Sequence, residues 1–276
     1  MASLEAKVAG HYTHGALQAA IEAGWATVRA HSKGAPVDQL AGVDEFHIGG
    51  RVATEMVCAR IDLGPGLKVL DIGCGLGGAA RFMASRFDVE VEGIDLTPEY
   101  VEVGNGLSRE VGLDSKVHLT QGSALNLQYE DAYFDRATQF HVGMNIEDKA
   151  RLFAQIARVL KPGALFAVYD VMRVGDGTLD YPVAWAEEET TSFVAAADAY
   201  EAALVATGFR VVATEPQGDL ALAFFARMKA RMAEHGTPPL GLHLVMGKDA
   251  ATKVANMVQN IARGAIAPVL MLASKA

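Results

Sequence analysis

The sequence feature that most constrains the fold is a glycine-rich segment, GCGLGG, set between a short apolar run and a helical pattern. The run before it, Lys68–Ile72 (KVLDI), is typical of a buried strand. Gly73, Gly75 and Gly78 form a literal Gly-x-Gly-x-x-Gly, and Asp95 lies 20 residues beyond Gly75, at the end of the next strand-like run. Glycines let a ligand approach the backbone, and the carboxylate accepts hydrogen bonds from ribose hydroxyls. The pattern predicts a nucleoside site of a kind that several cofactor classes share.

Strand-like and helix-like segments alternate along most of the chain. The predicted strands cover residues 68–72, 89–94, 117–120, 134–140, 164–171, 210–214 and 266–273. The predicted helices cover 15–31, 50–61, 79–87, 146–160, 192–207, 218–234 and 249–263, with one more opening at Thr97 and Pro98. Residues 32–50 are expected to be largely a loop. This alternation predicts an α/β fold with a doubly wound, mostly parallel sheet.

The chain has 276 residues, which suits one large domain or two small ones. The strand positions favour one main domain over residues 63–276, preceded by an N-terminal helical lid over residues 1–62. A helical insertion at about 218–264 precedes the last strand and is expected to form a cap. The cap carries an apolar stripe that is more typical of a core than of a ligand site. The stripe contains Phe224, Phe225, Met228, Met232 and Met257.

Asp71, two residues before Gly73, discriminates between cofactor classes. A dinucleotide fold brings a pyrophosphate against this loop, and a nearby carboxylate repels it by on the order of several kcal/mol at an effective dielectric of about 20. A ligand with a cationic amino group and no phosphate is attracted instead. S-adenosylmethionine is such a ligand, since it joins a nucleoside to a sulfonium and an ammonium group. The alternative is that Asp71 only caps the turn at the end of its strand.

Five successive segments resemble the motifs of class I S-adenosylmethionine-dependent methyltransferases, over about residues 68–172. They read VLDIGCGLGG, VEGIDLTPEY, QGSALNL, YFDRATQFHVGMNI and RVLKPGALFAVYDV. The resemblance implies a Rossmann-like methyltransferase fold with S-adenosylmethionine as the cofactor. It also implies that Gly73, Gly75 and Gly77 wrap the methionine part of that cofactor.

The resemblance assigns the rest of the cofactor as well. Asp71 is expected near the amino group, Asp95 on the ribose and Leu96 on the adenine. The adenine-side motif commonly reads Gly-Asp-Ala in this family, whereas here Ser123 replaces the Asp and is followed by Ala124. Ser123 can still accept one hydrogen bond, and the backbone of Ala124 or Leu125 can contact the ring.

The best candidate for a general base follows the fourth strand. His141 lies just beyond residues 134–140, at the carboxyl edge where ligands of such sheets bind. Its imidazole can accept a proton near neutral pH. The alternative is a structural or solvent-facing histidine. Gln139, in the same strand, is predicted to contact the cofactor.

The N-terminal segment supplies a second catalytic candidate, Tyr12. Phosphoethanolamine methyltransferases place an N-terminal Tyr near a His after the fourth strand, and carry an Ile-Ser-Ser-Gly-Gly-type segment over the cofactor. This chain is similar in outline, with Tyr12, then FHIGG, then His141. Gly49 and Gly50, which end FHIGG, are therefore expected to bind the cofactor. Tyr12 is expected either to form a lid that hydrogen-bonds His141 or the acceptor, or to anchor its segment.

The segment at residues 181–186, YPVAWA, resembles the loop that roofs the acceptor pocket in glycine/sarcosine-type methyltransferases. Its Trp185 either faces a cationic acceptor or the sulfonium, or packs as ordinary core. A small amine or amino-acid-like acceptor is expected first; methylation of an O or S atom and a cyclopropane-synthase-like reaction on lipid stay open. Outside the class, the alternatives are a nicotinamide-dependent oxidoreductase and a non-catalytic module that keeps the cofactor pocket.

The chain is acidic, with 24 Lys and Arg against 33 Asp and Glu and a formal net charge of −9. Nucleic acids and anionic membranes require clustered positive charge, so neither is expected as a partner. The two cysteines lack zinc-type spacing, and without a secretion signal the chain is predicted to be reduced and cytoplasmic. His11 and His14 have no third ligand nearby, so no metal is predicted. The oligomeric state stays open.

Overall fold

The computed structural model describes residues 3–13, 15–31, 34, 36–247 and 249–276. The strands of these residues are β1 (Lys68–Ile72), β2 (Glu90–Asp95), β3 (Val117–Gln121), β4 (Phe134–Phe140), β5 (Leu160–Arg173), β6 (Phe209–Pro216) and β7 (Ile266–Lys275). They form one sheet of order β3-β2-β1-β4-β5-β7-β6. Only β7 runs antiparallel to its neighbours, β5 and β6. The predicted doubly wound, mostly parallel sheet is confirmed.

Helices cover both faces of the sheet and precede it in the chain. The described helices are α1 (Leu4–Tyr12), α2 (Leu17–His31), α3 (Pro36–Asp44), α4 (Arg51–Cys58), α5 (Gly78–Phe87), α6 (Pro98–Glu110), α7 (Lys149–Val159), α8 (Ala197–Ala206), α9 (Gly218–His235), α10 (His243–Met246) and α11 (Ala250–Ala262). Each helix predicted from the sequence is present, with shifted ends. The predicted helix at 146–160 begins at Lys149 because Asp148 caps it, accepting from Arg151 N at 2.9 Å.

The N-terminal part contains more helix than the sequence pattern indicates. The expectation of a loop over residues 32–50 is wrong in its middle, which forms α3. Val37, Leu40 and Val43 are buried at three-residue spacing, so they lie on one face of this short helix. The sequence does not predict α1 either, because none of its residues is buried and it carries no apolar stripe.

Apolar packing on both faces holds the strands in fixed positions. On one face Phe134, Phe153 and Phe166 are fully buried and join α7 to β4 and β5. On the other, Met83 and Val91 join α5 to β2. Burial of one such side chain stabilises the fold by about 1.5–3 kcal/mol, so the strand ends form a rigid base for a site.

The strand order reverses between β1 and β4. From β1 the sheet grows through β2 to β3 on one side, and the chain then crosses back to add β4 on the other side. Ligands of open α/β sheets bind in the crevice at the carboxyl ends of the strands at such a point. Helices α9 to α11 are inserted between β6 and β7, where the sequence predicts a cap. Among the described helices, none has both the length and the apolar character needed to cross a bilayer.

Candidate active site

A cavity of about 330 Å³ opens where the strand order reverses. Its volume lies in the range of small-molecule sites. Eight residues predicted for the site line it. They are Tyr12, Asp71, Gly73, Gly75, Asp95, Leu96, Ala124 and His141. Five further predicted residues do not line it. They are Gly49, Gly50, Gly77, Ser123 and Gln139.

The glycine loop after β1 turns sharply against β2. Gly73 N and Cys74 N donate to the carbonyl oxygen of Ile94, at 2.8 and 3.1 Å, so the loop is fixed to the end of β2. Gly73 has a φ of +64°, and a Cβ at this position would lie 2.3 Å from Val142 Cγ2. Glycine alone meets both requirements, and the loop backbone thereby reaches the cavity wall.

Asp95 ends β2 and lines the cavity. Its Oδ2 accepts a hydrogen bond from Gly75 N at 2.9 Å, and its Oδ1 accepts one from Thr97 N at 2.8 Å. Burial raises the pKa of Asp95, and the two backbone donors act against that rise. An ionised carboxylate has about four acceptor positions, so Asp95 retains capacity for two hydroxyl groups of a ligand.

Asp71 is 2% exposed and lines the same cavity from β1. Thr138 Oγ1 donates to its Oδ1 at 2.8 Å. Burial raises the pKa of Asp71 to about 7, with a further contribution from the charge of Asp95, while the hydrogen bond from Thr138 opposes the rise. A cation in the cavity would favour the ionised form, so this pair of carboxyl groups suits a positively charged ligand and repels a phosphate.

Of Leu96, Ser123 and Ala124, which are predicted on the adenine side, two line the cavity and one lies outside it. Ala124 lines the cavity, as does Leu96. The hydroxyl of Ser123 is instead hydrogen-bonded to the carboxylate of Glu5 and accepts from Leu125 N at 3.0 Å. Ser123 therefore ties α1 to the loop after β3. Glu5 itself lines the cavity, a position that no motif in the sequence indicates.

Four other predicted cofactor residues lie behind the cavity wall. Gly77 is the N-cap of α5, with a left-handed φ of +79°. Gln139 is fully buried, and its Nε2 donates to Asp170 Oδ2 at 2.9 Å. Gly49 and Gly50 lie against α9. None of these four residues lines the cavity.

Asp170 holds the loop that follows β4, and no sequence motif identifies it. Its Oδ2 also accepts from Gly143 N at 2.7 Å and from Tyr200 Oη at 3.1 Å. Lys149 Nζ closes the same loop by donating to the carbonyl oxygens of Gly143 and Ile146, at 3.2 and 2.9 Å. The signal that could have found Asp170 is a lone charged residue inside the apolar run of β5.

His141 is the first residue of that loop. Its backbone N–H donates to the carbonyl oxygen of Tyr169 at 2.8 Å. Its imidazole ring stacks on the Tyr169 ring at a centroid distance of 5.3 Å. Its φ is +54°, a left-handed conformation that is uncommon for a non-glycine residue. Nε2 is buried without a hydrogen-bond partner. Burial, and then the neighbouring His47, hold the pKa of His141 well below its usual range, so the ring is neutral at physiological pH.

Tyr12 lines the cavity from α1, and its hydroxyl is hydrogen-bonded to Asn145 and not to His141. Its hydroxyl donates to Asn145 Oδ1 at 3.3 Å, and its ring meets the ring of Phe46 edge-on at 6.3 Å. The expected hydrogen bond to His141 is absent. Asn145 lines the cavity and is buried. No sequence motif identifies it, because it lies five residues beyond the end of β4.

Trp185 also lines the cavity, and it is 3% exposed. Its Nε1 donates to Ser192 Oγ at 2.9 Å, so its only polar atom is bonded within the protein. In the part of the chain that the structure describes, no group of three or more His, Cys, Asp or Glu side chains is placed to hold a metal ion. His14, considered together with His11 for such a role, lies outside the described residues.

These groups fit S-adenosylmethionine. The glycine turn permits close approach of the backbone, Asp95 has hydrogen-bonding capacity for a ribose, and Asp71 favours a cationic amino or sulfonium group. A dinucleotide would instead bring its pyrophosphate against the carboxyl groups of Asp71 and Asp95.

Residues 70–168 match the family model of a methyltransferase domain. The chain is similar to the methyltransferase GfsG of Streptomyces halstedii, with 33% identity over 140 residues that cover 51% of this chain. The matched region covers 50% of that relative, so this chain spans about half its length.

Two solved structures share the fold. The phosphoethanolamine N-methyltransferase 2 of Haemonchus contortus superposes with a TM-score of 0.73 and 22% identity, covering 87% of this chain and 56% of that one. The geranyl diphosphate C-methyltransferase of Streptomyces coelicolor A3(2) superposes with a TM-score of 0.72 and 17% identity, covering 100% and 99%. With the motif match, the family model identifies residues 70–168 as the central part of a class I S-adenosylmethionine-dependent methyltransferase domain. The two solved structures show that the rest of the chain shares their fold.

Proposed function

We propose that the protein transfers the methyl group of S-adenosylmethionine to a small-molecule acceptor. The observation that carries the proposal is that Asp71, Asp95 and the Gly73 turn share one cavity with His141, whose Nε2 is buried without a hydrogen-bond partner. When bound, the cofactor supplies an electrophilic methyl group beside its sulfonium. The protein must hold the acceptor close to that methyl in a dry site, and such positioning supplies much of the acceleration.

We assign the cofactor to the carboxyl ends of β1 to β3. Asp71 balances the positive charge, Asp95 accepts hydrogen bonds from the ribose, and Leu96 packs against the adenine. Gly73 and Gly75 let the methionine part approach the backbone. The remaining predicted residues, Gly77, Ser123, Gln139, Gly49 and Gly50, act by supporting this wall.

We assign the proton-accepting role to His141. A neutral imidazole is a proton acceptor, and the unpartnered Nε2 is the atom that would take a proton from an incoming nucleophile. The lowered pKa makes the ring a weak base, so this role suits an acceptor that loses its proton as the new bond forms. Tyr12 orients Asn145 at the same end of the cavity.

The N-terminal segment, residues 1–62, acts in this proposal as a lid over the cofactor, and residues 218–264 form the cap over the acceptor. Support for the lid comes from α1, which has no fully buried residue and is held by side-chain contacts from Tyr12, from Glu5 and from His11, whose Nε2 lies 3.1 Å from the carbonyl oxygen of Ala184. Such an element can open at low cost to admit ligands.

An amine is the first candidate acceptor, because the acidic side chains on the cavity disfavour anions and favour a nitrogen that attacks as the neutral amine and gains positive charge as its bond to the methyl group forms. Transfer to an O or S atom uses the same geometry. We further propose that nucleic acid is not a substrate, given the net charge of −9, and that the protein is cytoplasmic, since Cys58 and Cys74 are free buried thiols.

The test uses labelled S-adenosylmethionine with a metabolite pool, and mass identification of the labelled product. His141→Ala should lower the turnover number by about 10²-fold or more and leave the cofactor affinity within about twofold. His235→Ala, at an exposed histidine of α9, is the matched control. Unchanged turnover in His141→Ala would remove the base assignment. Cofactor binding with no labelled product from any pool would favour the alternative of a non-catalytic binding module.

A further inference from the structure

We propose that the acceptor is a neutral or cationic molecule with a large apolar body, and that one apolar wall of the cavity binds this body. The inference rests on the proposed methyl transfer and specifies its substrate class. It derives from the side of the cavity away from Asp71 and Asp95.

The apolar wall is built by residues that line the cavity and also pack with one another in a single cluster. It consists of Met144, Trp185, Phe224, Phe225, Val254 and Met257. Four elements contribute: the turn Gly143–Asn145, the segment after β5, and helices α9 and α11. Because two of these elements belong to the insertion before β7, the cap supplies most of the wall.

Polar atoms next to the wall are already bonded within the protein. Trp185 Nε1 donates to Ser192 Oγ at 2.9 Å, and the hydroxyl of Tyr12 donates to Asn145. The exception is His141 Nε2, a buried nitrogen without a hydrogen-bond partner, to which the proposed function already gives a role. An acceptor rich in polar groups would therefore leave several of them unpaired on this wall, at a cost that an apolar body avoids.

Charge on the cavity excludes an anionic body. Among the described residues that line it, Arg151 is the one Lys or Arg, and its Nε donates to the carbonyl oxygen of Leu125 at 2.9 Å, on the adenine side. Lys253 of α11 does not line the cavity and pairs with Glu187 at 2.8 Å. The carboxyl side chains on the cavity are more numerous. They are Glu5, Asp71, Asp95, Glu147 and Asp148, together with Asp44, which is paired with the buried Arg81 at 2.7 Å.

Binding to such a wall should grow steadily with apolar surface. Each buried methylene stabilises a complex by about 0.8 kcal/mol, which corresponds to about fourfold in affinity. Small polar amines lack this contribution, and phosphate esters add repulsion. Affinity that rises with the length of an alkyl chain therefore indicates an apolar wall, whereas affinity independent of chain length indicates a polar subsite.

The experiment titrates the protein saturated with S-adenosylhomocysteine by calorimetry. The apolar probes are n-butylamine, n-hexylamine and n-octylamine, and the polar probes are glycine, ethanolamine and phosphoethanolamine. We expect about fourfold tighter binding per added methylene and no measurable binding of phosphoethanolamine. A flat alkylamine series, or glycine or phosphoethanolamine binding as tightly as n-octylamine, would overturn the proposal.

A pair of matched variants ties the effect to the wall. Val254 and Val258 lie one turn apart on α11, and both are half-buried in the same cluster. Of the two, only Val254 lines the cavity. Val254→Thr should weaken n-octylamine binding by at least about fivefold, because it places a hydroxyl against an apolar ligand, whereas Val258→Thr should not. Equal effects in the two variants would place the alkyl chain elsewhere and refute the wall.

The same titration separates the two proposals. If S-adenosylhomocysteine does not bind, the proposed function fails. In that case the alkylamines are titrated into the unliganded protein. A gain of about fourfold in affinity per methylene supports the apolar wall, and a flat series refutes it. If S-adenosylhomocysteine binds and the series is flat, only the acceptor class fails.

Discussion

Asp71 gives the cofactor site a pH dependence whose size follows from its surroundings. Burial brings the pKa of this carboxyl group to about 7, so close to half of it is protonated at neutral pH. The cationic groups of S-adenosylmethionine interact favourably with the ionised form alone. Binding of the cofactor should therefore displace a proton from Asp71.

The magnitude comes from the ionised fraction, which scales the apparent affinity. With a pKa of about 7, that fraction is about one tenth at pH 6 and about nine tenths at pH 8. S-adenosylmethionine should bind about tenfold more weakly at pH 6 than at pH 8, a difference of about 1.4 kcal/mol. At pH 7, binding should release about half a proton per cofactor.

Calorimetry in buffers of different ionisation enthalpy measures the affinity and the released proton together. Asp71→Asn keeps an oxygen acceptor for Thr138, and it should bind more weakly at pH 8 and lose most of the change between pH 6 and pH 8. Asp114→Asn, at an exposed position, should behave as the unsubstituted protein. An Asp71→Asn variant that keeps the tenfold change would refute the reasoning and move the proton to another group, such as Asp170 or Glu45.

The same shift affects the unliganded fold, with a sign that can be checked. Because the pKa of Asp71 rises from 3.8 to about 7, the folded protein binds this proton more tightly than the unfolded chain does. Its contribution to the free energy of unfolding therefore falls as the pH rises from about 4 to about 7, by up to about 4 kcal/mol, and is constant above that. Urea denaturation of Asp71→Asn should show a smaller loss over this range.

Two further substitutions test the cofactor and lid assignments. Asp95→Ala removes the acceptor of Gly75 N and Thr97 N together with the ribose contact. The affinity for S-adenosylmethionine, measured by calorimetry, should therefore fall by about 10²-fold. An unchanged affinity would exclude Asp95 from the cofactor site. Tyr12→Phe removes the hydrogen bond to Asn145, so α1 should be cleaved faster in limited proteolysis and the free energy of unfolding should fall by about 0.5–1.5 kcal/mol; equal cleavage rates would show that other contacts hold the lid.

The sheet could be predicted because its strands are local and strongly marked. The strongest strands contain a short apolar run next to a Gly or charged residue, as in KVLDI of β1, and all seven lie close to where the sequence places them. The N-terminal helices differ in this respect. Helix α3 is only nine residues long and follows a glycine-containing segment, and α1 has no buried face, so neither has the extended periodicity on which the prediction depends.

The cofactor half of the site could be predicted for a similar reason. Asp71, Gly73 and Asp95 are adjacent to strand ends, so the strand prediction places them at one edge of the sheet. Gln139 fails to reach the cavity because its side chain is buried against Asp170, a partner 31 residues away in the next strand. Such a pairing leaves no pattern in the sequence around either residue.

The residues of the proposed acceptor site could not be identified from the sequence, for a different reason. The apolar stripe between β6 and β7 illustrates it. Its members look alike in sequence, yet the fold gives them three environments. Phe225 and Met257 are buried and line the cavity, Met228 packs behind them, and Met232 is 47% exposed. Helical spacing shows that a side chain faces inward, but it does not distinguish a neighbouring side chain from a space that a ligand fills. That distinction depends on Met144 and Trp185, which approach from elements outside the insertion. The residues of the proposed acceptor site are therefore brought together by long-range packing, whereas those of the proposed cofactor site lie in local motifs.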